Sequence, residues 1–243
     1  MKARLHFSPL HYFHPLERLK RKRKHCLATM KLPLLLEQLL KEPLPTFEDL
    51  AKDGEYIVLD IETTGLNSEK DIILSMGWVE ISGGRVDLAS AHHIYINDDS
   101  QINPETAVIN HITPQMLAAG VSIHDAMMTF FEAAQGKYIV AHGCIVEENF
   151  MKQYLINHYH FHDLPLIWLD TLRLEKSMEK AINQHENIDL TLGSTRTRYG
   201  LPEYNSHNAL ADAVSTAELF LAQHKRLVSR KDVTIASLYR FSQ

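Results

Sequence analysis

Two carboxylates, Asp60 and Glu62, lie two residues apart in an apolar segment of the chain. Side chains alternate between the faces of a β-strand, so these two acids would point the same way. The segment 56–59 before them is typical of a buried central strand, and Thr63-Thr64-Gly65 after them is typical of a turn. Adjacent buried carboxylates repel each other unless a cation compensates. Hard oxygen ligands at a strand end therefore predict a Mg²⁺ or Mn²⁺ site, and the alternative is that the pair ends an edge strand in water.

A third acid is expected from residues 141–151, a second candidate segment whose pattern predicts a strand running into a helix. At helical spacing, Glu147 shares its face with Phe150 and Met151, whereas the neighbouring Glu148 does not. We therefore expect Glu147 to point inward and Glu148 to point outward. The alternative is that Glu147 is not a ligand and only interacts favourably with the N–H groups in the first turn of the helix.

The third candidate is His207 followed five residues later by Asp212. Five residues of helix turn the two side chains about 140° apart, so both cannot face one site from a regular helix. Ser206 or Asn208 would cap the helix, which leaves His207 on the entering loop and Asp212 on the inner face. A loop histidine beside a metal-bound water is suited to act as a general base. Taken alone, this spacing is also typical of a surface histidine.

The elements that must position these residues alternate between strands and helices. Strands are predicted at 72–81 and 86–96, joined by a hairpin at Ser82-Gly83-Gly84, and shorter ones at 138–141 and 166–169. Helices are predicted at 114–134, 146–157, 171–180 and 208–225, with Asp170 as the cap of the third. This order predicts an α/β fold with a mixed sheet flanked by helices.

Composition allows one substantial domain, which we place at residues 51–243, behind an N-terminal appendage of residues 1–50. The appendage contains a basic run at 18–24 and a leucine-rich helical pattern at 32–41 that Pro33 begins. Residues 1–25 hold eight Lys or Arg and one acid, a net charge of +7 in a chain of net charge −5, so the remainder carries −12. The basic run would attract a polyanion. The alternatives are a solvated helix face and a flexible arm.

Cysteine usage and hydropathy bear on localisation. The two cysteines, Cys26 and Cys144, form neither a disulfide framework nor a zinc-binding spacing, which fits a reducing compartment. No apolar run approaches the roughly 18 residues of a membrane span. His and Pro interrupt the N-terminus where a signal peptide would need an apolar core. We therefore expect a soluble, cytoplasmic protein with no membrane partner.

The order of these motifs resembles the DEDDh family of 3′-5′ exonucleases, and the likeness is closest to proofreading subunits of bacterial replicative polymerases and their stand-alone relatives. The features that carry it are Asp60-x-Glu62 on a first strand, Glu147 five residues after His142, and His207-x4-Asp212 opening a final helix. Glu147 stands where the family usually has Asp. Gly143 and Val146 also replace the usual Asn and Phe of that segment.

The resemblance implies a ribonuclease-H-like fold and a set of site residues. Asp60, Glu62, Glu147 and Asp212 would hold two Mg²⁺ or Mn²⁺ ions, and His207 would act as the general base. The turn residues Thr63, Thr64, Gly65 and Leu66 would contact the terminal nucleotide. The implied substrate is the 3′ end of a single-stranded nucleic acid, with DNA favoured, and a DNA polymerase is a candidate partner. The alternatives are an RNA-trimming exoribonuclease and a catalytically impaired nucleic-acid-binding or polymerase-accessory module.

Overall fold

The computed structural model describes residues 12–97, 112–182, 188–204, 207–228 and 232–243. Within them lies a sheet of five strands in the order β3-β2-β1-β4-β5. The strands are β1 (Tyr56–Thr63), β2 (Ile73–Ser82), β3 (Arg85–Tyr95), β4 (Tyr138–Ala141) and β5 (Trp168–Asp170). β1 is antiparallel to β2 and parallel to β4, so the sheet is mixed, and this confirms the predicted fold class.

The hairpin between β2 and β3 also follows the prediction. Its two turn residues, Gly83 and Gly84, have φ angles of 55° and 71°. Positive φ at both central residues is the geometry of a type I′ turn, whose twist matches that of the two strands it joins. The turn pairs Ser82 with Arg85 and continues the antiparallel ladder.

Helices cover both faces of the sheet. They are α1 (Pro15–Thr29), α2 (Leu34–Lys41), α3 (Pro114–Ala118), α4 (Ile123–Ala133), α5 (Ile145–Tyr159), α6 (Thr171–Ile182), α7 (Leu192–Arg198), α8 (Ala209–Val228) and α9 (Ile235–Phe241). Among the described residues, no helix combines the length and the apolar character needed to cross a bilayer.

The prediction of one helix from 114 to 134 is wrong, because the chain leaves the helix after α3. Val121 instead bridges the end of the sheet: its N–H donates to the Tyr95 carbonyl, and its own carbonyl accepts from the Asn97 N–H. A new helix, α4, then begins at Ile123 and is capped by Ser122, whose hydroxyl accepts from the Asp125 N–H at 3.1 Å. Backbone pairing with the sheet thus overrides local helical propensity.

The alternation of side chains along β1 divides the core in two. Ile57 and Leu59 pack on one face, with α2, α4 and α5, while Tyr56 and Val58 pack on the other, with α6, α8 and α9. Asp60 has the parity of Val58 and therefore lies on the α8 face. This parity directs the β1 carboxylates toward α8, the helix that carries Asp212.

The N-terminal helices pack against this sheet domain. Leu16 and Leu19 of α1 join the α8-side core, while Cys26 of α1 and Leu36 of α2 join the other one. The expected leucine-rich helix starting at Pro33 is present as α2. The predicted boundary near residue 50 remains a prediction. Lys2 and Arg4, two of the cations counted in the basic segment, lie outside the described residues.

Candidate active site

The carboxylates of β1 meet α8 because Gly77 lets the helix approach the sheet closely. Asp60 pairs with Gly77 across the β1–β2 ladder. A Cβ atom on Gly77 would lie 2.2 Å from the backbone nitrogen of Leu210, in the first turn of α8. The helix therefore rests directly on β2, and Asp212 reaches the two acids of β1. Sequence reasoning missed Gly77, although a glycine inside an apolar strand signals close backbone approach.

Asp60, Glu62 and Asp212 form the resulting cluster. Each offers one carboxylate oxygen, and these three oxygens lie within 4.8 Å of one another. Glu62 is 8% exposed. Three convergent carboxylates form a donor set suited to a hard divalent cation.

The start of α8 links Asp212 to His207. The Asn208 side chain accepts from the Ala211 N–H at 3.0 Å and caps the helix, whereas Ser206, the other predicted cap, lies outside the described residues. Asp212 Oδ2 accepts from the backbone N–H of His207 at 2.8 Å and from that of Asn208 at 3.3 Å. His207 has a φ of 66° and is exposed on the loop before the helix, as the helical geometry required.

Glu147 lies in the first turn of α5 and is 5% exposed, while Glu148 is exposed, so the expected inward orientation of Glu147 is found. Its Oε2 atom is buried without a hydrogen-bond partner among the described residues. It is not one of the three acids within 4.8 Å of one another, but its charge acts on Asp60. A buried, unpartnered carboxylate oxygen next to the cluster fits a further cation ligand.

Asp170 fixes the turn that precedes Glu147. Its Oδ1 accepts from the N–H of Gly143 at 2.9 Å, across the turn between β4 and α5. The same atom accepts from the N–H groups of Leu172 and Arg173 in the first turn of α6, so the predicted capping role of Asp170 is confirmed. Gly143 adopts a φ of 82°, which few other residues tolerate.

Burial raises the pKa of each acid, and repulsion by neighbouring carboxylates adds to the effect at Asp60, Glu62 and Glu147. Burial, reinforced by Asp212, raises the pKa of Glu62 to about 7. Burial raises the pKa of Glu147 to about 8, with Asp170 adding to the effect. The pKa of Asp60 lies well above its usual range, through burial first and the charge of Glu147 second. Burial also raises the pKa of Asp212, against the opposing effect of the two loop N–H groups.

No Lys or Arg side chain forms an ion pair with Asp60, Glu62 or Glu147 within the part of the chain that the structure describes. These three acids therefore lack a paired cation from the protein, and bound divalent cations would supply the compensating charge. The donor chemistry and the unpartnered Glu147 oxygen both fit such ions.

The turn after β1 is organised by Asp71. Thr64 donates from its hydroxyl to Asp71 Oδ1 at 3.0 Å and accepts from the Ile72 N–H at 3.0 Å. The Thr63 hydroxyl donates to the Gly65 carbonyl at 2.6 Å. A Cβ atom on Gly65 would meet Asp71 Oδ2 at 2.6 Å, so the turn closes tightly only around glycine. Sequence reasoning singled out the turn residues and missed the aspartate that holds them.

The next residue, Leu66, is 80% exposed. The Asn67 N–H donates to Asp71 Oδ2 at 2.8 Å, so the Asp71 carboxylate binds the backbone after Leu66 and the Thr64 hydroxyl before it. An exposed leucine on a fixed turn offers an apolar surface beside the carboxylate cluster.

The loop that leads to His207 is anchored by Arg196, a buried residue of α7. Its guanidinium donates to the Pro202 carbonyl and to Glu218 Oε2, both at 2.7 Å. Tyr204 donates to Glu218 Oε1 at 2.9 Å and places its ring 5.0 Å from the same guanidinium. These contacts tie the loop to α7 and α8 a few residues before His207.

Comparison with known proteins agrees with this geometry. The model of the exonuclease family (RNase_T) matches residues 57–220. The chain is 32% identical, over 169 residues, to a PolC-type DNA polymerase III of Thermotoga maritima, and the match covers 70% of this chain and 12% of that protein. The chain thus spans about an eighth of the length of that relative.

Two solved structures share the fold. Exonuclease X in complex with 5′ overhanging duplex DNA has a TM-score of 0.56 and 19% identity, over 76% of this chain and 99% of that one. The nuclease domain of 3′hExo, a DEDDh family member bound to rAMP, has a TM-score of 0.60 and 13% identity, over 76% and 96%. The family match spans both β1 acids, Glu147 and the start of α8, so this chain belongs to the exonuclease (RNase_T) family.

Proposed function

We propose that this protein is a 3′-5′ exonuclease that releases nucleoside 5′-monophosphates one at a time from the 3′ ends of single-stranded DNA. The observation that carries the proposal is the meeting of Asp60, Glu62 and Asp212 within 4.8 Å, beside a buried Glu147 oxygen that has no partner among the described residues. Membership of the exonuclease family supports the same chemistry.

In this proposal, Asp60, Glu62, Glu147 and Asp212 hold two Mg²⁺ or Mn²⁺ ions. Such ions, when bound, activate a water molecule and stabilise charge on the attacking and leaving oxygens of a phosphodiester. The protein contributes the fixed directions of the carboxylates: β1 sets two of them, and the Gly77 contact sets the third. Glu147, longer by one methylene than the usual Asp, reaches the site from the first turn of α5.

His207 takes the proton of the attacking water as general base. Its side chain is exposed, and its backbone is fixed by the bond from its N–H to Asp212 Oδ2. This bond keeps the imidazole near the carboxylates, although the residue lies outside α8. A base of this kind is worth on the order of 10²–10⁴ in rate.

The turn Thr63-Thr64-Gly65-Leu66 receives the terminal nucleotide. Gly65 lets the turn close against Asp71, and the exposed Leu66 side chain packs against a base or sugar. Contacts of this kind do not discriminate between bases, which suits an enzyme that trims any sequence. The similarity to PolC-type polymerases also makes a DNA polymerase the proposed protein partner.

The second candidate is an exoribonuclease, because the 3′hExo nuclease domain, which has the same fold, is bound to rAMP. Neither the four acids nor His207 distinguishes deoxyribose from ribose. A catalytically impaired binding module is the third reading, since Glu147 replaces the usual Asp.

Digestion of matched strands separates these functions. Single-stranded DNA and RNA of one sequence, labelled at the 5′ end, are incubated with Mg²⁺, with Mn²⁺ or with chelator. We expect a ladder of products shortened from the 3′ end, DNA degraded faster than RNA, and no cleavage with chelator. Faster loss of RNA would establish the exoribonuclease. Absence of mononucleotides with either metal, in protein that still binds DNA, would establish the impaired module.

A further inference from the structure

Helix α1 has a buried side that fixes it to the domain. Leu16, Leu19, Arg23 and Cys26 recur at helical spacing, and all four are buried. The Arg23 guanidinium donates to the Pro165 carbonyl at 3.2 Å and to the carbonyl of residue 42 at 2.9 Å. This helix is therefore docked against the domain, and its orientation relative to the domain is set.

The other side of α1, with the turn that precedes it, is exposed and carries cations and aromatic rings. We call this surface the α1 platform. It consists of Tyr12, Phe13, Arg18, Arg21, Lys22 and Lys24, all of which are exposed. The platform lies outside residues 57–220, the part of the chain that matches the exonuclease family.

The aromatic end of the platform is held in place by Arg21. Both terminal nitrogens of the Arg21 guanidinium donate to the Tyr12 carbonyl at 3.2 Å, and the guanidinium lies 4.4 Å from the centroid of the Tyr12 ring. The Phe13 ring packs edge-on against Tyr12 at 5.4 Å, yet Phe13 remains 77% exposed. Two rings therefore lie at the surface. Phe13 contacts little within the described part of the chain, so its ring is open for a base to stack on.

The cations of the platform are available to a ligand. Within the described residues, the charged groups of Arg18 and Lys24 have no hydrogen-bond or ion-pair partner, and Lys22 has one exposed pair with Asp163 at 3.3 Å. An exposed pair of this kind contributes about 0–1 kcal/mol and gives way readily. The platform therefore concentrates positive charge on a chain whose residues beyond 25 carry a net −12.

We propose that the α1 platform binds the single strand upstream of the 3′ end that the active site holds, an inference that rests on the proposed exonuclease function. Cations that follow the phosphates, together with exposed rings on which bases stack, are the chemistry of sequence-independent single-strand binding. An acidic protein would use the cations alone and leave the rings without a role. A membrane surface would need the apolar stripe of α1, which is buried in the core.

The platform borders a cleft that reaches the start of α5. This cleft, of about 520 Å³, is lined by Lys22 on one side and by Glu148 and Asn149 on the other. Glu148 directly follows Glu147, so one wall of this cleft and the proposed metal ligand belong to the same first turn of α5. A strand that leaves the active site beside α5 meets the platform across this cleft.

Binding is tested on the full chain with a 5′-fluorescein-labelled (dT)20 strand, by fluorescence anisotropy with chelator present so that the strand survives. The charge variant is R18E/K24E, and the matched control is K52E/R85E, which changes the net charge equally at exposed positions outside the platform. Each lost phosphate contact flattens the slope of log affinity against log salt by about 0.7. We expect R18E/K24E to flatten it by about 1.4 and the control to leave it unchanged.

Phe13→Ala tests the aromatic part separately and should weaken (dT)20 binding about fivefold or more, with little change in the salt slope. Release of a mononucleotide from (dT)3 with Mg²⁺ should be equal in wild type and all these variants, because a trinucleotide is too short to reach the platform. That assay reports the proposed exonuclease function separately from the platform. If the wild type releases no mononucleotide from (dT)3, this counts against the proposed exonuclease function. The anisotropy measurements would still test the platform independently.

Three outcomes would overturn the platform proposal. One is an unchanged salt slope in R18E/K24E, and another is an equal loss of affinity in the K52E/R85E control. The third is tighter binding of fluorescein-labelled poly-glutamate than of (dT)20, which would assign the surface to an acidic protein.

Discussion

Replacing Gly77 by Ala should disable the site from a position that touches no substrate. The added Cβ would lie 2.2 Å from the Leu210 nitrogen and 2.3 Å from the Ala209 carbonyl carbon, whereas ordinary contact begins at 3.4 Å. Both atoms belong to backbone, so no side chain can rotate away. The first turn of α8 and β2 must therefore separate by about 1.2 Å, the difference between these distances.

Such a separation acts on Asp212 and Asp60 together. Asp60 pairs with Gly77 in the sheet, and Asp212 follows Leu210 in the same helical turn, so the clash lies between the two elements that carry them. A catalytic arrangement tolerates shifts of about 0.5 Å. A displacement near 1 Å costs on the order of 10²-fold in rate. Overpacking should also lower the free energy of unfolding by about 1–3 kcal/mol.

The assay compares the rate of mononucleotide release at saturating Mg²⁺ with the unfolding temperature of the same samples. Gly193→Ala is the matched control, because a Cβ there meets nothing within 4 Å and the residue lies in helix α7. We expect the control to keep wild-type activity and stability. Gly77→Ala activity within threefold of wild type would refute the view that this close contact positions Asp212.

Three further predictions concern the charged groups. The metal-free protein should lose stability as pH rises from about 4.5 to about 8. In the folded protein, Glu62 and Glu147 have pKa values of about 7 and 8, against an ordinary value of 4.5. In this pH range the folded protein therefore holds protons that the unfolded chain has released, so raising the pH favours unfolding. Thermal unfolding across a pH series should show this fall, and Mg²⁺ should reduce it above pH 7; an equal fall with and without Mg²⁺ would contradict the assignment. Asp60→Ala should abolish nucleotide release while the unfolding temperature in chelator stays equal or rises, since one repelling charge is removed; residual activity near wild type would count against the metal cluster. His207→Ala should slow release by about 10²–10⁴ and leave metal affinity, measured by calorimetry, nearly unchanged; a large loss of affinity would make His207 a ligand.

The sequence was informative wherever a periodic pattern decides the structure. The two-residue spacing of Asp60 and Glu62 places both on one face of β1, and helical periodicity separates buried Glu147 from exposed Glu148. The angular argument that removed His207 from the helix also agrees with the structure, since α8 begins at Ala209.

Features that depend on contacts between distant segments could not be predicted from the sequence. Gly77 matters because of Leu210, which is far away in sequence, and Val121 leaves its helical pattern because the backbone at Tyr95 offers a pairing partner. The sequence also did not show which side of α1 is buried and which is exposed. The basic run around Arg23 reads as solvated throughout, yet the Arg23 side chain is buried against backbone carbonyls.

The two N–H bonds to Asp212 Oδ2 limit what mutagenesis at that residue can reveal. One oxygen of the carboxylate anchors the loop of His207, and the residue also supplies an oxygen to the cluster with Asp60 and Glu62. Asn at position 212 can keep an acceptor toward the loop only by turning its NH₂ group toward the other acids, and Ala removes both interactions. Every substitution there therefore disturbs the base and the cation site together. Among the described residues, the Asp60 side chain has no hydrogen bond to this loop. Asp60 is therefore the position at which cation binding can be perturbed while the His207 loop keeps its anchor.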